Sequence, residues 1–462
     1  MAVALPTPTP TRHRWPVLAL LLTAVFLDLL DGTIVGVALP RIRADLAAGP
    51  ATTQWILAGY ALAFALVLIP GGRLGDLVGR KRVFLVGMIG FGAASVAAGA
   101  ATGPATLIAA RLAQGACAGL MVPPVLAMIT VLFAGAARAT ALTCYGIALS
   151  LANVSGPLLG GVLTEYGPFG LGWRSIFLVN VPVVVATAAG CLRYLPESRS
   201  TLPLRPDPAG TVLLGLASVL VLVPLVGKRI GWRLALAAPV LVAFVAVQRR
   251  RGGHALVPPV LFRHRSFAVG LAVLAMLFAG VGSVLLVLSY GLQDGWHWSP
   301  LRTAAIALAW PVGIVATSGI ARRAAARHGR TSIAAGLALL AASTAGLAAG
   351  LDRYGAGWVT VGLPLLSMGL GMGLCVAILT GVVLTGVPDE HAGSASGVLN
   401  TVIQLGTALG IAVIGGRYFA GTDPATAMPP ALAGTAGVVA GAAALALLLP
   451  RRRAPGTDRL GR

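Results

Sequence analysis

The sequence predicts an all-α membrane protein made of two six-helix bundles with two extra helices between them. Hydrophobic residues supply 57% of the 462 positions, charged residues only 10%, and the mean hydropathy is +0.89, which excludes an ordinary water-soluble protein. Apolar runs of about 17–25 residues, enough to cross roughly 30 Å of hydrocarbon as a helix, recur from Trp15 almost to Pro450. Short Arg, Gly and Pro clusters separate these runs, and the polar–apolar alternation of a membrane β-barrel strand is absent.

Residues 1–14 read as a Pro/Thr-rich cytoplasmic tail, and the apolar run behind them is too long for a cleaved signal peptide. Six spans, at about 15–39, 52–72, 83–102, 105–133, 139–163 and 174–192, form an N-terminal bundle over 15–193. The segment 194–266 holds two additional helices, at about 209–227 and 233–248, with their linkers. Asp207-Pro208 reads there as an N-cap followed by proline at the first helical position. A re-entrant hairpin stays open for this pair, because its second run is short and its turn carries Lys228-Arg229. Six more spans, at about 267–290, 301–321, 331–350, 357–383, 393–416 and 431–449, form a C-terminal bundle over 267–449, and 450–462 is a basic tail.

The net charge of +21 would suggest nucleic acid in a soluble domain, but here the basic residues stand between apolar runs and report orientation. Fourteen spans place both termini on one side, where 24 of the 34 Lys and Arg residues fall, against 9 on the other. That asymmetry predicts cytoplasmic termini in a multi-pass protein of a bacterial inner membrane. Arg249-Arg250-Arg251 and Arg451-Arg452-Arg453 follow apolar runs directly, where anionic headgroups attract them. Cys117, Cys144, Cys191 and Cys375 are widely spaced within apolar stretches and point to neither a disulfide framework nor a metal site.

The loop Gly72-Arg73-Leu74-Gly75-Asp76-Leu77-Val78-Gly79-Arg80-Lys81-Arg82 combines turn-forming glycines, a capping acid and a basic cluster. By spacing alone a capped positive-inside turn explains it equally well. As a pattern it closely resembles the signature loop of the major facilitator superfamily. Leu30 to Pro40 is similar to the first-helix motif of that superfamily's fourteen-helix drug:proton antiporters, with Gly36 where Asn is common. Arg111-Leu112-Ala113-Gln114-Gly115 resembles their fourth-helix motif, Trp173 to Pro182 the start of their sixth helix, and Gly393 to Asn400 their thirteenth. Ser155-Gly156-Pro157-Leu158-Leu159-Gly160-Gly161 resembles their fifth-helix antiporter motif, although Thr143 and Ala152 replace glycines expected upstream and Ile403 stands where a basic residue is common. The resemblance implies a major facilitator fold, with Gly72, Asp76, Gly79, Arg80, Gly156, Pro157, Gly160 and Gly161 in conformational switching. For the Gly-Pro segment, a plain helix crossing is an equal alternative.

Of thirteen acidic residues only Asp28 and Asp31 lie well inside an apolar run, three positions apart and so on one helix face. Arg111 is the only basic residue deep in a run, and helical rise puts it and Asp31 at matching depth, roughly 10–12 Å from the span ends. Asp31 and Asp28 are therefore the first suspects for function; the resemblance implies proton transfer for Arg111, which makes Asp31, Asp28 and Arg111 the candidates for proton coupling, and a helix contact with Thr33 is the structural alternative for Asp31. Gln114, one turn beyond Arg111, joins Asp28, Asp31, Tyr60 and Trp310 as candidate cavity residues. Tyr and Trp also serve as ordinary interface anchors.

The expected function is export of small, largely apolar molecules such as drugs or antibiotics, driven by the proton gradient through alternating access. The partners are the transported molecule, protons and membrane lipids; the protein is expected to be a monomer without cofactor, metal or catalytic residues. No nucleotide-binding loop supports primary transport. A dedicated exporter of one natural product is the alternative, and a non-transporting receptor or membrane enzyme a further one.

Overall fold

The computed structural model describes residues 13–199, 207–226, 231–252, 255–385, 387 and 392–450. Most of residues 1–14, the Lys228-Arg229 turn and nearly all of the tail 450–462 lie outside the described residues. Within them the chain is helical throughout, the arrangement that satisfies every backbone polar group in lipid without an open sheet edge.

The N-terminal bundle comprises α1 (Arg14–Asp45), α2 (Pro50–Val78), α3 (Arg80–Gly99), α4 (Pro104–Leu132), α5 (Gly135–Tyr166) and a sixth span broken into α6 (Ser175–Leu178) and α7 (Asn180–Tyr194). A central hairpin follows, with α8 (Pro208–Val226), α9 (Gly231–Ala235) and α10 (Ala237–Arg251). The C-terminal bundle holds α11 (Arg265–Tyr290), α12 (Pro300–Ala307) with α13 (Ala309–His328), α14 (Arg330–Tyr354), α15 (Trp358–Leu384), α16 (Ala392–Tyr418) and α17 (Pro424–Ala446). Thirteen of these segments are long and apolar enough to span a membrane. The eighth expected span is formed by α9 and α10, joined at Leu236, whose backbone stays in the helical region. Together 231–251 would still extend about 30 Å.

Several starts follow their local chemistry. Proline occupies the first turn of α2, α4, α12 and α17, where its missing N–H costs nothing. The Asp207 carboxylate accepts the Gly210 amide at 2.9 Å, as the Asp-Pro pair predicts.

The two bundles repeat one packing scheme. In each, the first helix packs on the fifth, the second and third on the fourth, and the third on the sixth. The halves then meet in exchanged pairs, α2 against α16 and α5 against α12. At the end away from the termini the contact is sealed. Tyr290 donates to the Leu39 carbonyl at 3.1 Å, Gln293 to the Val37 carbonyl at 2.9 Å, and the Leu301 amide to Glu165 at 2.9 Å. Arg43 pairs with Asp294 at 3.4 Å across the same seam. Toward the termini α5 is largely uncovered, with only Ala141 and Ala152 buried before Gly156.

Candidate functional site

Four spans of the N-terminal bundle supply the side chains of one buried polar cluster, and a fifth, α2, supplies a carbonyl to it. Close helix approach is what allows it: a Cβ on Gly115 of α4 would lie 3.0 Å from the Tyr60 Cα of α2, so only glycine fits there. One turn earlier Arg111 reaches α2, donating from Nε to the Ile56 carbonyl at 3.2 Å. Its Nη1 donates to Asp31 Oδ2 and also to Gln114 Oε1, the latter at 2.7 Å. Asp31 and Arg111 are both fully buried, so the sequence-expected pair forms as a buried ion pair. Gln114 Nε2 donates to Asp31 Oδ1 at 2.8 Å and to Ser95 Oγ on α3 at 2.8 Å. Asn180, at the start of α7, donates from Nδ2 to Asp31 Oδ1 at 3.3 Å.

Asp28 stands apart from this cage. It accepts one side-chain hydrogen bond, from the Tyr60 hydroxyl at 2.6 Å, and is only half-buried. The Tyr60 ring in turn covers the Arg111 guanidinium at 4.2 Å, a desolvated cation–π contact. Tyr60 thereby joins the two acids' environments. The alternative partner for Asp31 is not used: Thr33 donates to the Leu29 and Leu30 carbonyls of its own helix.

The signature loop forms a second cluster at the termini end. Asp76 pairs with Arg80 at 2.8 Å, and Gly79, at φ 128°, turns the chain between α2 and α3. A Cβ on Gly79 would lie 2.6 Å from a Glu197 carboxylate oxygen, and that carboxylate accepts the Lys81 amide at 3.1 Å. Ser198 O accepts the Arg80 amide at 2.9 Å, so the loop is tied to the chain just beyond α7. Gly72 packs close to Pro123. Arg73 donates to the Ala255 carbonyl, at the base of the central hairpin.

The α5 glycines mark crossings. A Cβ on Gly160 would meet the Ile34 carbonyl at 2.9 Å, and one on Gly156 would meet Thr33. Gly161 faces the other half, where a Cβ would meet Ala304 of α12 at 2.7 Å. Pro157 is buried among them.

Trp310 is not brought to this cluster. Its main chain packs on Gly369 of α15, where a Cβ would come within 2.9 Å of the Trp310 carbonyl carbon. A groove of about 530 Å³ between α14 and α17 is lined by alanine and glycine alone and holds no polar side chain.

Sequence reasoning missed Ser95 and Asn180 as members of the cage. Their signal was available as uncharged polar residues inside apolar runs, Asn180 within the Trp173 to Pro182 motif. That motif bridges two acids: Trp173 and Arg174 hold Asp45 at 2.9 and 2.8 Å, and Asn180 reaches Asp31.

The family model described as Major Facilitator Superfamily matches residues 21–411. The chain belongs to the Major Facilitator Superfamily. It is 41% identical over 432 residues to a probable actinorhodin transporter of Streptomyces coelicolor, covering 89% of this chain and 74% of that one. It is 34% identical to the puromycin resistance protein pur8 of Streptomyces alboniger over 98% of this chain and 94% of the relative. Among solved structures it resembles the peptide transporter POT, with TM-score 0.69 and 14% identity over 93% of both chains. The last likeness concerns the fold. The superfamily member is thus a multi-pass membrane transporter acting on small molecules, not an enzyme.

Proposed function

We propose that the protein exports small, largely apolar antibiotic-like molecules in exchange for protons, by alternating access across a bacterial cytoplasmic membrane with both termini inside. The carrying observation is the buried Asp31–Arg111 pair, the only ion pair buried on both sides among the described residues. A charge at that depth is expensive and marks a functional pathway. Asp31 is the main protonation site, Arg111 holds it ionised, and Asp28 with Tyr60 forms the half-open edge that a transported molecule reaches. The hydrogen-bonded seam at the end away from the termini, with α5 largely uncovered toward them, supports alternating access, as one side of a two-state rocking motion.

The test is transport into proteoliposomes under an imposed gradient, with puromycin as the first probe. One pH unit supplies about 1.4 kcal/mol per proton, and 100 mV about 2.3 kcal/mol per net charge moved. Puromycin should accumulate against its gradient when the pH difference is imposed. Transport unaffected by collapsing both gradients would refute proton exchange.

Narrow specificity is a second reading. It is favoured by relatives named for single products, the actinorhodin transporter and the cephamycin export protein CmcT of Amycolatopsis lactamdurans, 37% identical. Efflux of one compound from a broad panel, in a host lacking its own pumps, would select it.

A further inference from the structure

We propose that Asn180 is the positioning residue that answers protonation of Asp31, turning its amide over to accept the new proton. This role rests on the proton-coupled reading above and extends it by naming the group that senses the proton.

The two oxygens of Asp31 are held differently. Oδ2 faces the Arg111 guanidinium, while Oδ1 accepts only from neutral amides, Gln114 Nε2 at 2.8 Å and Asn180 Nδ2 at 3.3 Å. A proton joining the carboxylate is therefore taken up on Oδ1, away from the cation, and converts that oxygen from acceptor to donor. It then needs an acceptor of its own. Gln114 cannot turn over, because its Oε1 already accepts from Arg111 at 2.7 Å. Ser95 Oγ already faces both amide nitrogens, at 2.8 and 3.4 Å.

Asn180 alone has the freedom. Its side chain is fully buried, its Oδ1 accepts no hydrogen bond, and both bonds from its Nδ2 are long, 3.3 and 3.4 Å. A half-turn of the amide gives up two weak contacts and aims the free oxygen at the Asp31 hydroxyl. A buried acceptor without a partner is unfavourable, and this one is the group that a protonated Asp31 would satisfy.

The remaining groups around Asp31 do not compete for the role. Asp28 on its own helix is engaged by Tyr60 of α2, and Tyr145 of α5 lies within electrostatic reach of Asp28. Arg111 of α4 is the paired cation, and α3, α6 and α7 contribute Ser95, Phe177 and Asn180, none of which titrates. The acid just beyond α11, Asp294, meets Arg43 of α1, three turns and about 18 Å beyond Asp31. Arg302 of α12 is stacked on Trp298.

Infrared difference spectra of the full-length protein, purified in detergent without substrate and titrated with pH, test this directly. The protonated-carboxyl band that Asp31→Asn removes reports Asp31. In Asn180→Leu the protonated acid loses its acceptor, whereas the carboxylate loses only a long hydrogen bond. The band's midpoint should move about one unit toward acid, a tenfold loss of proton affinity, and Asn180→Ser, which donates and accepts, should restore it. A residue that merely braced the carboxylate would move the midpoint the other way; that sign, or no movement, overturns the role. Should Asn180→Leu not fold, the wild-type protein decides: the side-chain amide band that Asn180→Ser removes must shift as the Asp31 band appears, and a static amide band overturns the role. Proton-driven puromycin transport without a titrating Asp31 band overturns it too, while leaving the proton-coupled reading intact with another carboxyl. Absence of proton-driven transport removes both.

Discussion

In the N-terminal bundle the first and fourth spans, α1 and α4, meet across a buried ion pair caged by amides; in the C-terminal bundle their counterparts, α11 and α15, carry no charge between their ends. The C-terminal interior is instead held by neutral contacts, such as Ser283 with Thr435 at 3.0 Å and Ser343 with Ser367 at 2.8 Å. The packing scheme is shared and the chemistry is not. Helix shape and small-residue crossings set the common plan, whereas burying a carboxylate and a guanidinium needs four spans to supply partners at one depth. One bundle thus buries a charged pair, and the corresponding helices of the other pack without one.

The largest expected effect breaks the comparison at its centre. Asp31→Asn should reduce gradient-driven puromycin transport to the level of protein-free vesicles, while Thr435→Val in the other bundle should stay within about twofold of wild type, since a neutral hydrogen bond contributes only about 1 kcal/mol. Full coupled transport by purified, folded Asp31→Asn would move the proton site to Asp28.

Stability gives the next effect. Arg111→Leu leaves a buried carboxylate without its cation and should cost about 3–5 kcal/mol, whereas Asp31→Leu combined with Arg111→Leu should recover most of that loss. Thermal unfolding in detergent of the two single variants and the pair measures this coupling. Additive losses would mean that the two side chains do not act as a pair.

Smaller still, Ser283→Ala should cost about 1 kcal/mol, because Thr435 keeps its bond to the Ala431 carbonyl at 3.2 Å. The pH profile of transport should be unchanged. A moved profile would show that the C-terminal interior also takes part in proton coupling.

The smallest effect concerns the central hairpin. Burial alone would raise the Asp207 carboxyl, but hydrogen bonds from the Gly210 amide, Gln248 and the Leu256 amide, with Arg251 nearby, outweigh it and hold the group below the ordinary range. Its folded affinity for protons is therefore lower than in an unfolded chain, where the value is about 3.9. The stabilisation is complete at neutral pH and is lost as pH falls through the depressed folded value. Protection of the Gly210 and Leu256 amides from hydrogen exchange, relative to the intrinsic rate at each pH, should fall only below about pH 4 in wild type. In Asp207→Asn that protection should be lower already at neutral pH.

Much of the site was legible because charge is conspicuous in an apolar run. Asp31 and Arg111 could be matched by helical rise alone, and Gln114 followed from its position one turn on. Ser95 and Asn180 escaped because a neutral polar residue satisfies itself in many ways within a helix bundle, and nothing local to α3 or α7 says that both face α1. Trp310 shows the converse. It was a candidate cavity residue, and the structure sets its main chain close against Gly369 of α15, away from the Asp31 cluster.

The sequence by itself determined the helical class, the six-two-six division, the span boundaries to within a few residues for most helices, and the shared depth of Asp31 and Arg111. These follow from transfer of apolar side chains and backbone into lipid and from the cost of an unpaired charge there, both properties of short segments. Only the tertiary structure decided the exchanged contacts of α2 with α16 and α5 with α12, the separation of caged Asp31 from half-open Asp28, and the place of Asn180. Each depends on how several helices rotate about their own axes to pack together. That rotation is set by close contacts between distant segments, and an apolar run of nearly uniform composition does not encode it locally.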